Sequence, residues 1–202
     1  ITNSGNANAC TGPTGMQDAK NMAKETSKLL GLRQREVGVC STGVIGLPMP
    51  MIRIEPKYED LVTRLGPKNG NDVARSIITS DTHEKEFAIS FELHGKRVRI
   101  GGCAKGAGMI NPNMATMLCF VTTDANIGKR SLKEAIENSV DHTFNRITID
   151  GDTSTNDSVI VLANGAAGNK TIRRGTKECR DFSHALESVS YTHLTLPTNC
   201  VV

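Results

Sequence analysis

The chain has 202 residues, 38% of them hydrophobic, 22% charged and 3% aromatic, with no Trp and a formal net charge of +3. This is an ordinary globular composition with enough length for a real core. Its basic residues are scattered without interleaved aromatics, and no apolar run approaches the roughly 20 residues of a membrane helix, so nucleic-acid and membrane roles are not expected.

The six cysteines (Cys10, Cys40, Cys103, Cys119, Cys179 and Cys200) form no CxxC, and no histidine pair stands at zinc-ligand spacing. No metal site is expected, and scattered thiols fit a reducing cytoplasm. Cys40, Cys103 and Cys119 read as buried small hydrophobes. No signal-peptide pattern opens the chain, and a start at Ile1 rather than Met points to residues in front of it.

Residues 1–9 begin like the end of a strand and become a small-residue polar loop, either a structural turn or a set of amides aimed at a ligand. Residues 14–30 are the clearest helix, with Met16, Ala19, Met22, Ala23, Thr26, Leu29 and Leu30 on one face and Gly31 ending it. Residues 36–40 read as a short buried strand running into Ser41-Thr42-Gly43. Such an end offers backbone N–H groups and a hydroxyl to an oxyanion, or is a plain turn. Residues 51–65 have a helical pattern broken near Pro56, and 71–78 form a short helix with Asp72 near its positive end. Thr79-Ser80-Asp81-Thr82 is a hydroxyl-rich turn.

Residues 87–93 and 96–100 alternate around His94-Gly95, the pattern of a β-hairpin. Residues 117–123 read as a buried strand, and 131–144 as a helix with Ser131 as N-cap and Glu134 completing a capping box. A strand over 147–149, a polar loop over 150–157, a buried strand over 158–163 and a Gly/Ala/basic loop over 164–176 follow. Residues 180–187 begin a helix. From Ser188 the pattern loses helical period, and residues 188–202 read as a non-native tail. The alternation of elements predicts a mixed α/β fold of layered sheets and helices.

The hairpin delivers the chain into Gly101–Leu118, a glycine-rich run that becomes apolar. Four glycines, a proline and two asparagines surround Lys105 and lead to Thr116. Loops of this kind between strands usually carry function. The five histidines sit in unpromising contexts for a Ser-His-Asp or Cys-His arrangement, and no G-x-S-x-G elbow is present. A threonine opening a strand offers another route. If the Ala115–Thr116 bond is cut, Thr116 gains an α-amine beside its own hydroxyl, and that amine can serve as base for Oγ. Spacing alone leaves Thr116 equally readable as an ordinary strand threonine.

The run from Lys105 through Asn111-Pro-Asn-Met-Ala-Thr116 to Leu118 closely resembles the self-cleavage motif of the ArgJ family of bifunctional ornithine acetyltransferases / glutamate N-acetyltransferases. Asn3–Ala9, Ser41–Gly46, Thr79–Thr82 and Asp150–Asp157 resemble that family's other blocks, in the same order, so the likeness spans about residues 1–187. The resemblance implies a four-layer αββα sandwich, here incomplete, and self-cleavage between Ala115 and Thr116. The two pieces, 1–115 and 116–187, would stay together as α and β chains of a heterotetramer. Thr116 would take an acetyl group from N-acetylornithine and pass it to glutamate. Thr42 and Gly43 match the family's oxyanion-hole pair, and Thr79, Lys105 and Thr116 match substrate-binding positions. No cofactor is implied, and acetyl-CoA is left open as a second acetyl donor.

The family's proteins are about twice as long. No counterpart of their downstream Asp-Gly-Glu-Gly block is present, and Ser80 stands where the family usually has Thr. The chain is therefore expected to be truncated at both ends. Two alternatives remain. One is a related amidohydrolase with water as acceptor, against which a threonine nucleophile argues. The other is an inactive, unprocessed fragment.

Overall fold

A computed structural model describes residues 1–106, 117–146 and 157–195. The expected strand over 147–149 and most of the 150–157 loop lie outside these residues. The chain divides into two compact units, residues 1–79 and 80–202.

The first unit opens with a β-α-β arrangement. Strand β1 (Thr2–Asn6) pairs in parallel with β2 (Cys40–Val44), and helix α1 (Gly12–Leu30) connects them. Pro13 lies in the first turn of α1, where a missing N–H costs nothing. Gly31 closes it in the left-handed conformation at φ 64°, and Leu32 N–H donates back to Ser27 O at 2.9 Å. The predicted stripe is only partly buried: Met22, Ala23 and Thr26 face inward, while Met16 is 60% exposed. Met22 packs with Met49 and Tyr58 in a small core. Pro56 breaks the next helical stretch as expected, into α2 (Met51–Ile54), a 3₁₀ turn, and α3 (Tyr58–Thr63). Helix α4 (Gly70–Ile77) follows and buries Ala74 and Ile77.

The strand reading over 36–40 needs correction. Residues 34–36 form a 3₁₀ turn, and the strand begins at Cys40, so Ser41-Thr42-Gly43 lies inside β2 rather than beyond its end. Pairing with β1 decides this, overriding the loop-like composition of the tripeptide.

The second unit is a four-stranded sheet in the order β3-β4-β5-β6 with helices packed on it. Strands β3 (Lys85–Leu93) and β4 (Lys96–Lys105) form the predicted hairpin, with Leu93 opposite Lys96. His94 and Gly95 both have positive φ, 51° and 69°, as a two-residue type I′ turn requires. Strand β5 (Leu118–Thr123) runs antiparallel to β4, and β6 (Ser158–Ala163) runs parallel to β5. Val98, Ile100, Ala104, Cys119 and Val121 point to one face. There they meet Ala135 and Val140 of α5 (Lys129–His142) and Phe182, Leu186 and Val189 of α6 (Lys177–Thr195). The mixed α/β class expected from the sequence is the class observed.

Three local readings differ. Helix α5 starts two residues early with Gly128 as N-cap, so Ser131 is a buried first-turn residue and forms no capping box. Strand β6 is half-exposed rather than buried, with Leu162 63% exposed. Helix α6 does not stop at Glu187 but runs on to Thr195. Val189 and Ser190 are both buried, and Ser190 Oγ donates to Leu186 O at 3.0 Å and accepts from Ser139 Oγ at 2.9 Å. The spacing of Phe182, Ala185, Leu186 and Val189 accounts for the longer helix, since it keeps one apolar stripe facing the sheet.

Candidate active site

The glycine-rich run leaves the sheet at the end of β4 and returns at the start of β5. Lys105 and Leu118 are register partners, so the segment between them departs and returns at one point on the sheet. Residues 107–116, which include Ala115 and Thr116, lie outside the described residues.

Both ends of that segment are held by side chains. At the departing end, Gly106 N–H donates to Asp81 Oδ1 at 2.8 Å, and Gly106 O accepts from Lys85 Nζ at 2.9 Å. Lys85 Nζ also lies 3.0 Å from Asp81 Oδ1. The two side chains are 5% and 1% exposed, so this is a buried ion pair whose partners also satisfy both polar atoms of one peptide residue. At the returning end, Met117 N–H donates to Asp157 Oδ1 at 2.7 Å, and Met117 O accepts from Ser158 N–H at 2.9 Å.

Lys105 lies between these two clamps and is 3% exposed. Burial lowers the pKa of its ammonium. Asp81 acts against that shift, Lys85 adds to it, and Asp157 acts against it. Two lysines and two aspartates thus meet at the base of the loop, with their formal charges balanced.

Thr42 and Gly43 belong to the first unit. Thr42 is 2% exposed and stands opposite Ser4 across the β1–β2 ladder. Cys40 N–H donates to Ile1 O at 3.0 Å, and Ala7 N–H donates to Val44 O at 2.9 Å. By the alternation of a parallel ladder, Cys40, Thr42 and Val44 direct their peptide groups toward β1, while Ser41 and Gly43 direct theirs away. Gly43 therefore offers its N–H on the side of β2 opposite β1, as an oxyanion donor needs. Its φ of 130° and the 2.3 Å that would separate a Cβ from Gly5 C both demand glycine.

Thr79 closes the first unit, just after α4. The side-chain N–H groups of Asn3, Asn6 and Asn8 donate within the fold, while Asn3 Oδ1 is buried without a hydrogen-bond partner. Asn3 Nδ2 donates to Asn6 O at 2.8 Å, Asn8 Nδ2 to Gly15 O at 2.7 Å, and Asn6 Nδ2 to Leu47 O at 3.3 Å.

Sequence reasoning missed Asp81, Lys85 and Asp157. Asp81 and Asp157 did stand inside the quoted blocks Thr79–Thr82 and Asp150–Asp157. Among the described residues no three His, Cys, Asp or Glu side chains converge as metal ligands do, and no helix is long and apolar enough to cross a membrane.

The chain as a whole is similar to known proteins. A model of the ArgJ family matches residues 1–195. The arginine biosynthesis bifunctional protein ArgJ of Symbiobacterium thermophilum is 52% identical over 189 residues, 94% of this chain and 47% of that protein. The protein of the same name from Caldanaerobacter subterraneus subsp. tengcongensis is 50% identical over 192 residues, 95% of this chain and 48% of that protein. A crystal structure of the arginine biosynthesis bifunctional protein ArgJ of Bacillus halodurans superposes with a TM-score of 0.50 at 39% identity. That match covers 57% of this chain and 60% of the crystallised one. The chain spans about half the length of the curated relatives it matches.

Proposed function

The chain belongs to the ArgJ family, and on that premise we propose that it carries the nucleophile and oxyanion hole of a self-cleaving glutamate N-acetyltransferase of arginine biosynthesis. Cleavage begins when Thr116 Oγ attacks the Ala115 carbonyl carbon. The peptide C–N bond breaks, its nitrogen becomes the Thr116 α-amine, and water hydrolyses the resulting ester. In the mature site that amine takes the Oγ proton as Oγ attacks the acetyl carbon of N-acetylornithine. The tetrahedral oxyanion is met by Gly43 N–H and by Thr42. Ornithine leaves with the proton from the amine, and an acetyl ester remains on Thr116. The amine of glutamate then attacks that ester, N-acetylglutamate departs, and Oγ recovers its proton. Lys105 pairs with a substrate carboxylate, and Thr79 contacts substrate.

The observation that carries this reading is the two-ended clamp on Gly106 and Met117. It holds the chain immediately after Thr116 in a fixed place on the sheet. The same geometry supports the proposal that the two pieces stay together. Strands β4 and β5 fall on opposite sides of the cut and remain neighbours, in register from Ile100 opposite Thr123 to Lys105 opposite Leu118. Assembly of the α and β pieces as a heterotetramer belongs to the same proposal. So does a cytoplasmic setting, which the free thiols of Cys10, Cys40, Cys103, Cys119 and Cys179 fit.

The test is an acetyl-transfer assay on the protein expressed from its complete reading frame. N-acetylornithine and glutamate should give ornithine and N-acetylglutamate. Release of free acetate at the same rate with or without glutamate would overturn the transferase reading in favour of a hydrolase. Replacing N-acetylornithine with acetyl-CoA in the same assay decides whether a second donor is used.

A further inference from the structure

We propose that the cleft between α1 and the α2–α3 stretch is a binding site for an aliphatic ammonium ion, with the hydroxyl of Tyr58 as an acceptor in its wall.

The cleft lies wholly within the first unit and has a volume of about 680 Å³. That is the scale of sites for small organic molecules. Helix α1 supplies Glu25, Lys28 and Leu29 to its wall, and the chain around the break at Pro56 supplies Glu55, Tyr58 and Glu59. The break puts Glu55 in the 3₁₀ turn and lets Tyr58 open α3.

Tyr58 is 6% exposed, and its ring packs with Met22 of α1 and with Met49. Its hydroxyl oxygen is buried and has no hydrogen-bond partner. A buried phenol usually finds one, so a vacant partner position beside a cleft points to a ligand that fills it. Burial raises the pKa of this phenol most, and the charges of Glu55, Glu25 and Asp18 raise it further, in that order. The first two of these carboxylates stand on the cleft wall, so the phenol oxygen lies toward its acidic side. The hydroxyl stays neutral near pH 7 and can accept a hydrogen bond.

The surrounding charge selects the sign of the ligand. Glu25 is already paired with Lys28, 2.8 Å away. Glu55 and Glu59 make no ion pair among the described residues, so the wall keeps two uncompensated carboxylates. That field favours a cation over an anion. A bare metal ion does not fit, because among the described residues no three carboxylate, Cys or His side chains converge to hold one. An ammonium carries three donor hydrogens, which match one phenol oxygen and neighbouring carboxylates. Leu29 offers apolar surface to the hydrocarbon stem behind it.

The experiment titrates putrescine, a four-carbon diammonium ion, into the protein expressed from its complete reading frame, with calorimetry as the readout. Butanediol serves as the uncharged chain of the same length. Wild type should bind putrescine saturably and butanediol not at all. Tyr58→Phe keeps the ring and should weaken putrescine binding about tenfold, the scale of one hydrogen bond to a charged group. Glu55→Gln should also weaken it about tenfold. Without ligand, Tyr58→Phe should melt at or above the wild-type temperature, since the hydroxyl it loses has no partner to give up. Absence of saturable binding by wild type would overturn the proposal, as would equal binding of butanediol or unchanged affinity in either variant. A clearly lowered melting temperature in Tyr58→Phe would overturn it too, because the hydroxyl would then be satisfied inside the complete protein.

Discussion

Lys85 Nζ and Asp81 Oδ1 lie 3.0 Å apart with almost no solvent access, and between them they hold both polar atoms of Gly106. Removing one partner leaves the other charge buried and alone. Asp81→Ala or Lys85→Met should therefore each destabilise the second unit by about 3–5 kcal/mol, read from urea unfolding midpoints. The double variant Asp81→Ala/Lys85→Met should lose less than the sum of the two single changes. Strict additivity would mean that the pair is not coupled.

Gly43 has two independent reasons to be glycine. Its φ is 130°, and an added Cβ would sit 2.3 Å from Gly5 C and 2.6 Å from Asn6 N, both backbone atoms. Gly43→Ala should push β1 and β2 apart, cost about 1–3 kcal/mol, and reduce acetyl transfer more than it reduces stability at assay temperature. Kinetics and melting on the same preparation check this. Activity unchanged beside a lowered melting temperature would remove Gly43 from the oxyanion hole.

Burial, with a smaller contribution from the charge of Glu86, pushes the Cys103 thiol up from its ordinary value of 9.0 to about 11, and burial pushes the Cys119 thiol up as well. The neutral thiol is thus favoured in the folded state. The stability it contributes is fully present below 9.0 and is lost as pH rises through about 11. Urea midpoints measured upward from neutral pH should fall over that window, and Cys103→Ala should flatten the fall. In the native chain a thiolate-directed alkylating agent should modify the exposed Cys10 well before Cys103 or Cys119.

Helix α6 carries Val189, fully buried, and Ser190, 2% exposed, beyond the point where the sequence pattern loses helical character. Val189→Ala should cost about 2 kcal/mol in urea unfolding. Truncation after Glu187 should cost more, because it also removes the Ser190–Ser139 hydrogen bond at 2.9 Å.

The features legible in the sequence are those set by local chemistry. Pro13 and Gly31 bracket α1, Pro56 breaks the following helix, and His94-Gly95 turns the hairpin, because each depends on the φ range of a single residue. The features missed depend on partners distant in sequence. Ser41-Thr42-Gly43 looks like a turn until β1 pairs with it across 38 positions, as in Asn3 opposite Ser41. Ser131 looks like a cap until Gly128 takes that place, leaving Ser131 buried in the first turn. Asp81 and Lys85 are four apart but in no helix, so spacing does not bring them together. Only the bend before β3 does. Asp157 is one of three aspartates in its block, and what singles it out is a hydrogen bond to a residue 40 positions earlier.

The central claim is that Thr116 becomes an N-terminal nucleophile that carries acetyl. The most direct measurement is intact mass under denaturing conditions, before and after incubation with N-acetylornithine alone. The account predicts two pieces separated between Ala115 and Thr116, with one acetyl group gained by the piece that begins at Thr116 and lost again when glutamate is added. It also predicts no cleavage in Thr116→Ala. A folded, uncut wild-type chain, or an acetyl group that maps to any other residue, would contradict it.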